Sequence, residues 1–266
     1  MIDISILEKE LINNGYSEEL ATAKLCQDII LMMLSKSKFS RNITIKGGVV
    51  MSFISKNIRR ATIDIDLDLI KFPLTVQGIK TFVKELNGID GIKIKLIGKI
   101  EDLKHQDYQG KRIHVELEDN NKNKLISKID IGVHKYFDLD QIQYCFDVAT
   151  SDESASLLIN SPEQMVAEKI KSLLRFGVLS TRYKDVYDVC YLLDFVDRKK
   201  LNKAFEILIY SNGLYRNYTI EDIAKNLSKT FNDKVYLQKL NTSNKNWLNI
   251  DNQIVIDKIL KFFKNM

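Results

Sequence analysis

The feature that most constrains this chain is a run of aspartates that alternates with aliphatic residues. Residues 63–69 place Asp64, Asp66 and Asp68 between isoleucines and leucines. Side chains alternate sides along a strand, so the run predicts a strand with one apolar face and one face of carboxylates. The apolar face is predicted to begin at Ile63. A calcium loop is excluded, since two aliphatic residues follow the last aspartate where an EF-hand requires glycine and polar residues.

Three carboxylates on one strand face, about 7 Å apart, repel one another, and partial burial adds to the cost. We therefore expect a divalent cation beside them. Hard oxygen ligands favour Mg²⁺ or Mn²⁺ over zinc or copper, and a phosphate-bearing substrate would complete the shell. For the same reason we expect the metal-free protein to keep or slightly raise its stability when Asp64 and Asp66 are replaced by Asn.

A glycine pair, Gly47-Gly48, precedes the aspartates. Glycines let backbone N–H groups approach phosphate oxygens without a side chain in the way. Residues 49–58 are predicted to form a helix, whose positive N-terminal end would face the anion. A Gly-Gly pair or an Asp-x-Asp motif alone is weak, but the combination is uncommon and predicts a site for a metal and a phosphate.

The composition is that of an ordinary globular protein. The chain has 266 residues, 45% of them hydrophobic, which is enough for one large core or two modest ones. No apolar run approaches the roughly 20 residues of a membrane span, and no signal peptide pattern is present, so we expect a cytoplasmic protein without a membrane partner. Three scattered cysteines and three histidines argue against a disulfide framework, a zinc site or a histidine metal centre.

Positive charge is concentrated near the C-terminus. The net charge is +5, and residues 199–266 hold 12 Lys/Arg against 6 Asp/Glu. Lysines spaced along amphipathic helices usually form a solvated face. The alternative is a binding surface for a polyanion such as RNA.

Hydrophobic periodicity predicts an α+β fold in which a mixed β-sheet domain, with N-terminal helices, is followed by a mostly helical C-terminal domain. We place the boundary in the Ser/Asp/Glu-rich segment near residue 155, giving domains 1–155 and 156–266. Predicted helices cover 4–13, 18–34 and 76–86, and further predicted strands cover 43–45, 92–97, 111–118 and 125–133.

Asp130 is a candidate third metal ligand. It lies between Ile129 and Ile131, on the opposite face of its predicted strand. Alone, such a residue is more often an exposed strand position. Next to the first acidic strand it would supply the additional carboxylate that two-metal phosphoryl transfer commonly uses, although Asp68 could fill the same role.

Two charged residues lie on apolar helix faces in the C-terminal domain. Ser161 and Pro162 form a strong helix start, and Lys169 lies in the apolar stripe of that helix. Lys169 either extends its stem past the core or reaches a triphosphate or a carboxylate. Asp185, in the first turn of the next helix, either complements the helix dipole or holds Lys169.

Together these residues resemble the AbiEii/AbiGii family of nucleotidyltransferases, toxins of bacterial abortive-infection and toxin-antitoxin pairs that include the MenT-type toxins. The resemblance covers roughly residues 40–195. It rests on four segments: Lys46-Gly47-Gly48, Arg60-x-Thr62-x-Asp64-x-Asp66, Lys128-Ile129-Asp130-Ile131, and Glu168-Lys169 with Lys184-Asp185-x-x-Asp188.

The resemblance implies a role for each matched residue. Gly47 and Gly48, flanked by Lys46 and Thr62, would bind the triphosphate. The metal ions would be held by Asp64 and Asp66, with Asp130 as third ligand, while Lys169 would contact phosphates and Asp185 would complete the catalytic set. Many members of the wider superfamily have Ser after the first glycine, where this chain has Gly48.

The implied reaction transfers a nucleoside monophosphate from an NTP to an acceptor hydroxyl and releases pyrophosphate. In the family the acceptor can be the 3′ end of tRNA, and an antitoxin protein can accompany the toxin. Two alternatives stay open at this point. A nucleotide-sugar glycosyltransferase also uses an Asp-x-Asp, and a non-catalytic RNA-binding protein could keep the same fold.

Overall fold

Seven strands form one mixed β-sheet in the part of the chain that the computed structural model describes, residues 2–103 and 110–266. The chain divides into two units, Met1–Asn160 and Ser161–Met266. The elements of the first unit are α1 (Ile4–Asn13), α2 (Glu18–Lys36), β1 (Ile43–Lys46), α3 (Gly47–Ser55), β2 (Ile65–Leu69), α4 (Val76–Leu86), β3 (Lys93–Leu103), β4 (Gly110–Glu118), β5 (Lys124–Val133), β6 (Gln141–Phe146) and β7 (Ala155–Asn160).

The strand order across the sheet is β3-β4-β5-β2-β1-β7-β6. The β2–β5 and β1–β7 pairs are parallel, and the remaining neighbours are antiparallel. Strands β1, β2 and β5 are therefore central, and their inward side chains, among them Ile45, Leu67 and Ile131, are fully buried. Burial of each such side chain contributes about 2 kcal/mol, so the three central strands belong to the core of this unit.

The second unit is helical. It consists of α5 (Pro162–Phe176), α6 (Tyr183–Leu192), α7 (Arg198–Phe205) with a π-helical continuation (Glu206–Tyr210), α8 (Ile220–Phe231), α9 (Lys234–Thr242) and α10 (Asn252–Lys264). Ser161 caps α5 through a hydrogen bond from the backbone N–H of Gln164, at 3.2 Å. None of the helices in residues 2–103 and 110–266 combines the length and apolar character that a bilayer span requires.

The predicted fold class, an α+β sheet domain followed by a helical domain, is confirmed. The sequence analysis missed two strands, β6 and β7. The division at residue 155 differs from the observed one by a strand, because β7 pairs with β1 and so belongs to the first unit.

Candidate active site

The glycine pair forms the junction between β1 and α3. Gly47 has φ of 66°, a left-handed conformation that residues with a side chain rarely adopt. A Cβ atom at this position would overlap the carboxylate of Asp66. Lys46, the N-cap of α3, makes no side-chain capping hydrogen bond. The backbone therefore lies directly against the acidic strand at a helix N-terminus, as the sequence predicts for an anion cradle.

Gly48 is required for a different reason, the close approach of Thr62. A Cβ atom on Gly48 would lie 2.6 Å from Thr62 Oγ1 and 2.7 Å from Thr62 Cβ. Gln27 of α2 fixes this segment from behind, because its buried amide donates a 2.7 Å hydrogen bond to the carbonyl oxygen of Thr62. The space that a serine would need here is thus filled by Thr62, which explains why this chain has glycine at position 48.

The acidic strand is shorter than its alternating pattern predicts. Strand β2 begins at Ile65, so Asp64 lies just before it. Ile63 is 48% exposed and does not belong to the apolar face, and its predicted burial is wrong. The chain bends at this residue, which takes its side chain out of the alternation. Asp66 and Asp68 lie within the strand as expected.

One row of charged residues crosses four strands. Asp66 is the register partner of Asp130 on the adjacent parallel strand β5. Asp130 in turn faces Arg112 on β4, and Asp66 faces Lys46 on β1. Residues paired in register share a sheet face and are neighbours at the 4.7–4.9 Å strand spacing typical of sheets, so two aspartates are flanked by two basic residues.

Basic side chains hold most of the acids at this site. Lys128 Nζ lies 2.6 Å from Asp64 Oδ1, and Lys46 Nζ lies 2.6 Å from Asp68 Oδ1. Arg112 forms a two-pronged pair with Asp130, at 2.7 Å through Nε and 2.8 Å through Nη2. These hydrogen bonds to Asp130 raise the pKa of Arg112 further above its already high value.

These ion pairs correct one expectation. The repulsion among the carboxylates is offset by basic residues of β1, β4 and β5, and a metal is not the sole cation that can stabilise them. Removing the charge of Asp64 should consequently lower the stability of the metal-free protein slightly, by at most about 1 kcal/mol for such a solvent-accessible pair.

The acids have the chemistry for a hard cation, but they are not yet arranged as a complete site. Asp64, Asp66 and Asp130 offer carboxylate oxygens of the type that Mg²⁺ and Mn²⁺ prefer. Among the described residues, however, no group of three or more Asp, Glu, His or Cys side chains is placed to hold a metal. A metal at Asp64 would compete with Lys128 for that carboxylate, whereas a metal at Asp130 would use the remaining lone pairs of oxygens that Arg112 contacts.

His134, which the sequence analysis did not single out, lies just after β5 beside the Lys46–Asp68 pair. It is 3% exposed, and its Nε2–H donates to the carbonyl oxygen of Tyr136 at 3.1 Å. Burial lowers the pKa of His134, while the charge of Asp68 acts in the opposite direction. The imidazole is therefore neutral near pH 7. No local sequence pattern pointed to His134, because its position beside Asp68 depends on the sheet register.

The second unit contains a separate buried ion-pair cluster, formed by Lys169, Asp185 and Asp188. Lys169 Nζ lies 2.7 Å from both Asp185 Oδ1 and Asp188 Oδ2. Trp247 donates its indole N–H to Asp188 Oδ1 at 2.9 Å, and Arg182 Nε approaches Asp185 Oδ2 at 3.0 Å. The contact between Lys169 and Asp185 agrees with one of the two interpretations of Asp185, that it holds Lys169.

The sequence analysis named Asp188 in a matched segment but gave it no role, and it did not single out Trp247. Asp188 is completely buried and, three residues after Asp185, shares its helix face. That i, i+3 spacing was the available signal. Trp247 lies between α9 and α10, and no local pattern connects it to α6.

A mixed sheet that brings a Gly-Gly turn against a row of aspartates defines a protein of the nucleotidyltransferase class. The family model described as nucleotidyl transferase AbiEii toxin, type IV toxin-antitoxin system, matches residues 29–257. The chain belongs to this family and is a nucleotidyltransferase. The match extends beyond residues 40–195, which carry the sequence resemblance. Membership implies an NTP substrate and an antitoxin partner, and it favours nucleotidyl transfer over the glycosyltransferase alternative.

Among solved structures, the chain is similar to an antigenic nucleotidyltransferase-like protein from Paracoccidioides brasiliensis. The identity is 15%, the TM-score is 0.41, and the similarity covers 80% of this chain and 94% of the other. No curated relative matches the chain.

Proposed function

We propose that this protein is a metal-dependent toxin that transfers a nucleoside monophosphate from an NTP to a hydroxyl of RNA, with the 3′ end of tRNA as the acceptor. The observation that carries the proposal is the position of Asp66. Its carboxylate lies against the backbone of Gly47 on one side and is in register with Asp130 on the other. A phosphate cradle and a metal-type carboxylate pair therefore meet at one residue.

In this proposal the N-terminus of α3 binds the triphosphate. Backbone N–H groups of the first turn of α3 are the proposed donors to the anion, and Lys46 and Thr62 flank the two glycines of that turn. Gly48 has no side chain that could limit the approach of a phosphate. Thr62 occupies the space where a Cβ atom at position 48 would lie. Binding would therefore depend on backbone donors, which fix the triphosphate relative to Asp66.

Asp64 and Asp66 are the proposed ligands of Mg²⁺ or Mn²⁺, with Asp130 as the third. The ion, when bound, would neutralise charge that develops on the α-phosphate. Asp66 is held in a central strand, so its direction is set by the sheet and not by a loop. Such a fixed ligand places the phosphate for attack without rearrangement of the backbone.

Lys169 and Asp185 are proposed to act in the same reaction because they match the fourth segment of the family resemblance, Glu168-Lys169 with Lys184-Asp185-x-x-Asp188. Lys169 is mostly buried and its ammonium contacts two carboxylates of α6, so its orientation is set within the second unit. Asp185 would hold Lys169 in that orientation.

The basic helices of the second unit support an RNA acceptor. Lys199, Lys200 and Lys203 of α7 are all exposed to solvent. Such charges attract the phosphates of an RNA whatever its base sequence. Modification of the 3′ end of tRNA would block translation, which would explain the toxicity. Both proposed substrates, NTP and tRNA, are present in the cytoplasm, where the protein is proposed to act.

The test is incubation of the purified protein with total RNA and each α-³²P-labelled NTP, with magnesium or with EDTA. We expect label in a tRNA-sized band with magnesium only. RNA whose 3′ diol has been oxidised with periodate should not be labelled. Label on protein alone would overturn the RNA acceptor.

Asp64→Asn and Asp66→Asn should abolish labelling and toxicity while the protein remains folded. Asp152→Asn is the matched control, because Asp152 is an exposed aspartate in the bend before β7. Retained toxicity in both active-site variants would favour the non-catalytic RNA-binding alternative.

A further inference from the structure

Two acids of the candidate site are held by basic residues in very different ways. The Lys128–Asp64 pair has one contact, and its side chains are 30% and 42% exposed. The Arg112–Asp130 pair has two parallel hydrogen bonds, and Asp130 is only 12% exposed. A bidentate, sheltered pair persists, whereas a single accessible ammonium contact exchanges readily with other anions.

Lys128 lies on the same sheet face as the acids. It precedes Asp130 by two residues on β5, so both side chains leave one face of the strand. The β2–β5 register begins at Ile65 and Ile129, one residue beyond Asp64 and Lys128. The strand register thus places the backbone of Lys128 beside Asp64, the acid that the proposed function assigns to the metal.

A divalent cation and the ammonium of Lys128 cannot both take Asp64 as close partner without repulsion. Lysine carries a compact charge on a flexible stem with three rotatable donors, so it can turn to a new anion without movement of the strand. Arg112 has no such freedom, because its planar group is occupied by both oxygens of Asp130.

We propose that Lys128 is a substrate-binding residue that exchanges Asp64 for a phosphate oxygen of the triphosphate when the metal-bound nucleotide enters. Without nucleotide, Lys128 neutralises Asp64 and competes with the metal. With nucleotide, it binds the triphosphate. The inference rests on the proposed role of Asp64 as a metal ligand, and it assigns to Arg112 the different task of keeping Asp130 in position.

The two halves of the exchange predict opposite effects in one variant, Lys128→Gln. Calorimetric titration with MnCl₂ alone should show tighter binding than in the wild type, because the competing ammonium is gone. Titration with magnesium tripolyphosphate, which tests the phosphates without a base, should show about tenfold weaker binding, the loss expected for one charge-assisted hydrogen bond.

Lys124→Gln is the matched control. Lys124 lies four residues earlier on the same face of β5 and pairs with Glu116 at 3.1 Å, away from the aspartates. Both of its affinities should equal those of the wild type. Lys128→Arg, which keeps the charge, should retain the tripolyphosphate affinity within about a factor of two, and thermal melting confirms that each variant is folded.

The results separate this inference from the proposed function. If the wild type binds both probes and Lys128→Gln behaves like Lys124→Gln, or weakens both probes alike, Lys128 has no such role and the proposed function is untouched. If the wild type binds neither Mn²⁺ nor magnesium tripolyphosphate, the metal-dependent function and the inference fail together.

Discussion

Asp66 and Asp130 are direct register partners on adjacent parallel strands, although they belong to segments far apart in the chain. Both strands lie in the centre of the sheet, where the inward residues are completely buried. The relative position of the two carboxylates is consequently set by backbone hydrogen bonds. Sites built on sheet strands are more rigid than sites on loops, which suits a reaction that depends on placement.

Gly47→Ala should destabilise the protein by clearly more than about 1 kcal/mol, because left-handed strain and overlap with Asp66 act together. Gly15→Ala separates the two causes, since Gly15 has φ of 96° but nothing within 4 Å of an added Cβ. Gly213→Ala has neither problem and should change stability by less than about 0.5 kcal/mol. Urea unfolding followed by circular dichroism measures all three, and equal losses at Gly15 and Gly47 would contradict the overlap with Asp66.

Gly48→Ser should be destabilising even though serine is common at this position in the wider superfamily. The new Cβ meets the branched side chain of Thr62, and overpacking of this kind costs about 1–3 kcal/mol. The double variant Gly48→Ser/Thr62→Gly should recover part of that loss relative to the sum of the single variants. Strict additivity in this double-mutant cycle would show that Thr62 does not set the identity of residue 48.

Lys169→Met should cost about 3 kcal/mol, because it leaves Asp185 and Asp188 buried without their ammonium partner. The control is Lys258→Met. Lys258 pairs with Asp194 at 2.7 Å, but the side chains are 38% and 61% exposed, so its loss should cost at most about 1 kcal/mol. Thermal unfolding distinguishes the two variants, and similar losses would argue against a buried cluster.

His134 should make stability depend on pH. Burial lowers the pKa of His134 in the folded state. In the unfolded chain the imidazole has its ordinary pKa of about 6.5 and therefore binds the proton more readily. The stability contributed by neutral His134 is complete above that value and is lost as the pH falls from it through the lower pKa of the folded state. His134→Gln should flatten this part of the profile of unfolding free energy.

His114→Gln is the control for that measurement, because His114 is a half-exposed histidine of β4. The slope between pH 7 and 5 should persist in this variant. An unchanged slope in His134→Gln would mean that another group carries the acid sensitivity.

Local signals in the sequence predicted the elements that depend on neighbouring residues. Helix α5 begins at its predicted cap, Ser161, because a hydroxyl three residues before a free backbone N–H stabilises the first turn wherever it occurs. The buried side of β2 followed from alternation, since Leu67 and Leu69 are fully buried. The family was likewise predicted from short motifs and is confirmed by the match to residues 29–257.

The structural features that the sequence analysis did not predict depend on contacts between distant segments. Strand β6 is mostly exposed, with only Phe146 buried, so no clear alternation marks it. The pairing of Lys128 with Asp64 and of Arg112 with Asp130 requires the register of three strands, which sequence spacing does not contain. The sequence therefore indicated the acids of the candidate site but not the basic residues that contact them.

Trp247, whose indole donates to the buried Asp188, is the single tryptophan of the chain. Its fluorescence therefore comes from one known environment, and the emission maximum and quenching report directly on the carboxylate beside it. Nucleotide, RNA or antitoxin that disturbs Lys169 can be followed optically in the unlabelled wild-type protein, in real time and without any engineered dye.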